Sequence, residues 1–101
     1  MLKSLIDIED IPDEQLFTKG AVFRRMNKEH ITNSNFPEYY DYMLILHPDE
    51  EETMMFVNVT FGSIKAGYII SYVKSDQVLY RITGKEVKRS LGTEQVFYCE
   101  Y

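Results

Sequence analysis

A chain of 101 residues, 45% apolar and 14% aromatic, has the length and apolar content of a single domain, residues 1–101, with a core of its own. Sixteen acidic against eleven basic residues give a net charge of -5, which argues against nucleic-acid binding, since phosphates are met by clustered Lys and Arg. No stretch approaches the ~20 apolar residues of a membrane span, and the short apolar run at the N-terminus meets Asp7 at once, so neither membrane insertion nor a signal peptide is expected. The single cysteine, Cys99, has no internal disulfide partner, in keeping with a reducing cytoplasm as the expected location.

Asp7, Glu9, Asp10, Asp13 and Glu14 load the first segment with acid, and Arg81, Lys85, Lys88 and Arg89 gather base late in the chain, predicting a polarised surface. Residues 20–26 (GAVFRRM) alternate around Val22 and Phe23 after the turn-like Thr18-Lys19-Gly20, and they predict a first strand. Residues 27–37, rich in Asn and Ser and ending in Pro37, have no sustained period and predict a long surface loop.

Residues 39–47 place Tyr40, Tyr42, Leu44 and Leu46 on one face at period two, with Tyr39, Asp41, Met43 and Ile45 on the other; this predicts a central strand. Pro48 and the four carboxylates Asp49, Glu50, Glu51 and Glu52 break the run as a solvated turn. Residues 53–61 resume with Met55, Val57, Val59 and Phe61 on one side, as the hairpin partner.

Residues 66–74 (AGYIISYVK) are apolar on both faces, predicting a strand covered by sheet neighbours and a helix, with Gly67 marking a bulge or close backbone approach. A turn over 74–77 then leads to a short strand over 78–82. Thr83 and Glu86 have the spacing of a capping box, predicting a helix that runs to Leu91 and ends at Gly92. Residues 94–101 predict a final strand. The expected class is therefore α+β: a mainly antiparallel sheet of about five to six strands with one short helix near the C-terminus.

Little in this order points to catalysis. Ser71 and Lys74 have the S-x-x-K spacing of penicillin-interacting enzymes, but on a strand residues three apart face opposite ways, whereas that chemistry needs them together at a helix start. His30 and His47 read as histidines of a loop and of a strand end before Pro48, not as metal ligands. The run from Asp49 to Glu52 lacks the oxygen spacing and glycine of a calcium loop, and no phosphate-binding glycine motif occurs. Cys99, alternating with Phe97 and Tyr101, reads as a small core residue. The expectation is a non-enzyme without catalytic residues, metal or cofactor.

Tyrosine joins an apolar ring to a polar tip and is enriched at protein interfaces, and this chain has eight of them and no tryptophan. Tyr39, Tyr40 and Asp41, with the acidic turn of Asp49, Glu50, Glu51 and Glu52, are the candidate partner-binding residues, on condition that the hairpin brings them together.

Four short motifs carry a resemblance: 16–24 (LFTKGAVFR), 37–44 (PEYYDYML), 62–67 (GSIKAG) and 95–98 (QVFY). In their order, the chain over about residues 15 to 100 resembles the immunity protein 45 family of bacterial polymorphic-toxin systems, although tryptophans usual in and after that family's helix are missing. The resemblance implies a cytoplasmic protein that binds and neutralises a cognate toxin domain by stoichiometric occlusion. If that toxin is a basic nuclease, acidic carboxylates at 49–52 or 7–14 would meet its Lys and Arg. The alternative reading is a small structural or regulatory interaction module that self-associates, as a homodimer, through a sheet edge.

Overall fold

The computed structural model describes residues 1–75 and 80–101. Among the described residues eight strands and two helices follow in chain order: β1 (Ser4–Asp7), β2 (Leu16–Thr18), β3 (Val22–Met26), α1 (Glu29–Thr32), β4 (Tyr39–Leu46), β5 (Thr53–Asn58), β6 (Ile69–Lys74), β7 (Arg81–Thr83), α2 (Gly84–Leu91) and β8 (Val96–Glu100). A 3-10 turn, Ile8–Asp10, follows β1. The main sheet has six antiparallel strands in the order β1-β8-β3-β4-β5-β6, and β2 pairs separately with β7. The class is α+β, as the periodicities predict.

Period-two alternation on β4 sorts its residues by face. Tyr40, Tyr42 and Leu44 are buried, and Phe23 of β3 and Phe56 of β5 stand beside Tyr42 and Leu44 in register. Val87 and Leu91 of α2, Phe17 of β2, Ile82 of β7 and Ile8 of the 3-10 turn cover this face and close the core. Fully burying one such side chain is worth about 1.5–3 kcal/mol. Edge-to-face contacts at 5.1 Å between Phe17 and Phe23, and at 5.8 Å between Phe23 and Phe56, carry the packing across the sheet.

Helix α2 has the predicted ends. The Thr83 side chain accepts from Glu86 N–H while the Glu86 carboxylate accepts from Thr83 N–H, so two otherwise unpaired donors are satisfied. Gly92 closes it at φ 82, donating its N–H to Lys88 O at 2.8 Å.

Several elements differ from expectation. β1 and β2 were not foreseen because strands of four and three residues are too short to show a period. The 27–37 loop contains the single turn α1, started by Asn27, whose Oδ1 accepts from Glu29 N–H. β6 begins at Ile69 after a chain of turns ending at Gly67, φ 92, whose N–H approaches Asn58 O at 2.6 Å. That is the close backbone approach expected at Gly67; the bulge lies three residues on, where Ile70 is the extra residue between the Phe56–Ser71 and Val57–Ile69 pairs.

The largest correction concerns β6, which was expected to be covered on both faces. It is the edge of the sheet, and four of its six residues are exposed. Its apolar composition reports an open surface instead of a buried strand. The predicted strand over 78–82 and the turn over 74–77 fall partly on residues 76–79, outside the described residues; the part that is described, β7, pairs with β2 and not with the main sheet.

Candidate functional site

The bulge in β5–β6, the Gly92 cap and the 27–29 turn leave a cleft of about 780 Å³ at one end of the sheet, on the face that carries α2. Its floor is Arg25, Tyr40, Tyr42 and Asn58, and its walls are residues 27–29, the 65–70 segment and the 91–95 turn. Local bonds fix each wall. Asn27 donates its N–H to Glu38 O at 2.9 Å and its Nδ2 to Pro37 O at 2.9 Å, while Met26 N–H reaches Gln95 O at 3.1 Å.

Arg25 is the anchor of the floor. Its Nη1 donates to Leu91 O at 3.3 Å and its Nη2 to the Tyr42 hydroxyl at 3.2 Å, with the guanidinium 5.2 Å from the Tyr42 ring centre. These two bonds fix the fork of an arginine that carries five donors, leaving further N–H groups for a guest. Lys65 Nζ lies 5.3 Å from the Tyr40 ring centre, and Asn58, whose Oδ1 accepts from Thr60 N–H, is 97% enclosed at the back of the cleft by its 3% exposure. Exposed ion pairs of Lys28 with Glu94 at 2.6 Å and Lys65 with Glu29 at 4.0 Å cross the rim, where solvent leaves them little energy.

The segment that leads into β6, and β6 itself, expose apolar side chains. Phe61 is 103% exposed, Ile64 92%, Tyr68 63%, Tyr72 59%, Ile69 44% and Ile70 37%, all within one stretch of chain. Tyr68 and Ile70 belong to both the cleft wall and this patch. Ile69 and Tyr72, beside Val57 and Met55, and Phe61, beside Tyr39 and Asp41, lie on the sheet face away from the cleft, so the exposed apolar residues flank both sides of the β6 end of the sheet.

The sequence-predicted residues are not brought together. Tyr39, Tyr40 and Asp41 open β4, whereas Asp49, Glu50, Glu51 and Glu52 follow its far end, roughly 20 Å away or more at ~3.3 Å per strand residue. Tyr40 enters the cleft; Tyr39 and Asp41 face the other side of the sheet, where Arg24 holds Asp41 in two bonds of 2.8 and 3.1 Å and lies 3.7 Å over the Tyr39 ring. The acidic turn is organised by His47, whose Nδ1 accepts the N–H groups of Asp49 at 3.0 Å and Glu50 at 2.9 Å. Sequence reasoning missed Arg25, Lys65, Asn58 and Tyr68. Arg25 could have been found from its in-register position opposite Tyr40, but only once the β3–β4 pairing was known.

Ser71 and Lys74 lie apart on β6: Ser71 pairs with Phe56 on the helix side, while Lys74 Nζ lies 3.5 Å from Thr53 Oγ1. His30 Nδ1 is engaged with Phe36 O at 2.7 Å. Cys99 is buried beneath its neighbours on the face away from α2; burial, and then the Asp41 carboxylate, push its thiol up to about 11, with Arg24 offsetting part of the rise. Among the described residues no three His, Cys, Asp or Glu side chains stand together as a metal site, and no helix is long and apolar enough to cross a membrane.

No protein-family model, no curated protein and no solved structure matches this chain.

Proposed function

We propose that this chain is a stoichiometric protein-binding protein that seats a protruding part of its partner in the Arg25 cleft. The observation that carries this reading is the cleft's composition: an arginine held by two bonds among Tyr40, Tyr42 and Tyr68, with the exposed Ile70 in the same wall. Tyr and Arg dominate binding hot spots because they offer large, stiff surface together with directed donors. A surface of this make-up gains energy by enclosing a partner's side chain and excluding water around it.

The partner that the four-motif resemblance favours is a toxin domain, which this chain would neutralise by covering its working surface. A net charge of -5, with acid concentrated at 7–14 and 49–52, would speed encounter with a basic toxin. The test is co-expression with a toxin domain encoded next to this chain. Survival of the host and recovery of a one-to-one complex, both lost in Arg25→Ala/Tyr68→Ala, are the expected results. Cell death together with no complex would overturn the toxin reading, and a complex indifferent to the double variant would overturn the cleft as its seat.

A further inference from the structure

We propose that the open edge of β6 pairs antiparallel with β6 of a second copy of this chain, with Tyr72 on the two-fold axis, joining two six-stranded sheets into one of twelve strands. Among the described residues no strand pairs with the outer edge of β6, so its backbone donors and acceptors there are available to a partner strand.

The two edges of the sheet are unlike. β1, at the other edge, has only four residues, follows Lys3 and ends on Asp7, charges that discourage pairing. β6 has six residues with one charge, Lys74, at its end. One inviting edge and one blunted edge give a closed pair by two-fold symmetry, and not a growing filament.

The register follows from the faces of β6. After the bulge, Ser71 and Val73 point to the helix side, opposite Phe56 and Met54, and Tyr72 points to the other side beside Met55. Antiparallel pairing of a strand with its own copy keeps facing residues on one side only when the axis passes through a residue. Centred on Tyr72, the pairing sets Ser71 against Val73 of the second copy and Tyr72 against Tyr72, an aromatic cross-strand pair.

Charge agrees with this arrangement. The acidic turn of Asp49, Glu50 and Glu51 lies beside the C-terminal end of β6, where Ser75 N–H reaches Glu52 O at 2.8 Å. Antiparallel pairing places the two acidic turns at opposite ends of the dimer, each toward the second copy's N-terminal end of β6 and its Lys65, whose own partner Glu29 is 4.0 Å away.

The test is sedimentation velocity on the whole chain alone, so that its result is independent of the cleft reading. The expected behaviour is a monomer–dimer equilibrium that shifts to dimer between about 1 and 100 µM, with Tyr72→Lys and Ile69→Lys remaining monomeric and retaining the parent's circular dichroism. Tyr72→Cys should form a disulfide-linked dimer on mild oxidation, because facing Cα atoms in an antiparallel pair are about 4.5–5.5 Å apart, within disulfide reach. Leu5→Cys, on the blunted edge, should not. A chain that stays monomeric over that range, assembles without limit, or dimerises equally well with Tyr72→Lys would overturn the proposal.

Discussion

Arg24 and Asp41 face each other in register across β3 and β4, joined by Nε–Oδ1 and Nη2–Oδ2 bonds of 2.8 and 3.1 Å, with both side chains less than one-fifth exposed. The pair sits on the sheet face opposite α2, with Arg24 stacked on Tyr39 and Thr60 Oγ1 accepting the Asp41 N–H at 2.8 Å. The neighbouring carboxylate, chiefly through its hydrogen bond, raises the Arg24 pKa further above its ordinary value.

Removing one member of this pair leaves the other, largely buried charge without its counterion. Asp41→Asn keeps the shape and is expected to lower unfolding free energy by about 1–2 kcal/mol, and Asp41→Ala by about 2–3 kcal/mol. Arg24→Ala/Asp41→Ala should cost less than the sum of its single changes, with a coupling of about 1–2 kcal/mol. Urea unfolding of the four proteins measures the coupling, and strict additivity would show that the two bonds contribute nothing to stability.

Cys99 is 2% exposed and its thiol is pushed up to about 11, so both access and thiolate fraction are low at neutral pH. The folded protein should react with a thiol reagent at pH 8 at least ~100-fold more slowly than a denatured sample, which should titrate as one thiol per chain. Stopped-flow absorbance with an aromatic disulfide reagent checks this, and a rate near that of free cysteine would place the thiol at the surface.

Local signals were legible wherever a residue's role depends on near neighbours in sequence. The β4 alternation, the Thr83/Glu86 capping box and the Gly92 stop each rest on contacts within four residues, and each stands in the structure as read. The exposure of β6 was not legible because an apolar edge and an apolar core strand share one composition; what separates them is strand order, a property of distant pairings. The cleft failed to show for the same reason, since Arg25, Tyr42 and Leu91 meet across 66 residues of chain. Tyr39 and Asp41 were grouped with Tyr40 as sequence neighbours, although β-strand geometry sends them to the opposite face.

Asp13 is an exposed carboxylate 2.8 Å from Lys88 Nζ, and that hydrogen bond, then the charge of Lys88, hold its pKa below the ordinary carboxylate value. A folded pKa lowered in this way adds stability above the unfolded value near 3.9 and loses it as pH falls through the folded value. Carbon-detected NMR titration should therefore show Asp13 protonating at lower pH than a free carboxylate, and Lys88→Ala should bring it back toward the ordinary value. An unchanged titration in Lys88→Ala would remove Lys88 as the cause.

His47 connects the end of β4 to the acidic turn by accepting two backbone N–H groups on Nδ1, and its ring lies 5.7 Å from that of Tyr72. Alanine at this position leaves both N–H groups to water in an exposed turn, so a modest loss of about 0.5–1.5 kcal/mol is expected. Asparagine, which offers an acceptor at similar reach, should recover part of it. Thermal unfolding of His47→Ala and His47→Asn tests the order, and equal stability of the two would mean that the acceptor is immaterial.

Gly84 gives the sharpest prediction because sequence and structure disagree about its sign. It is the first residue of α2, where alanine would ordinarily improve helix stability by up to about 1 kcal/mol over glycine. Here a Cβ would lie 2.5 Å from Pro12 O and 3.3 Å from Ile11 Cγ2. The first of these is backbone, held in place because Gly84 N–H donates to Gln15 O at 2.7 Å and Lys85 N–H to Asp13 O at 3.0 Å. No rotamer can relieve the contact, so the helix start and the 11–15 segment must separate, breaking those bonds and opening the core at Ile11. Gly84→Ala should therefore destabilise by about 2–4 kcal/mol. Thr83→Ala, which removes only the capping hydroxyl one residue earlier, should cost about 1 kcal/mol. If equilibrium unfolding finds Gly84→Ala neutral or stabilising, the segment before β2 does not dock against α2 as described, and the floor of the core formed by Ile8 and Ile11 is built differently.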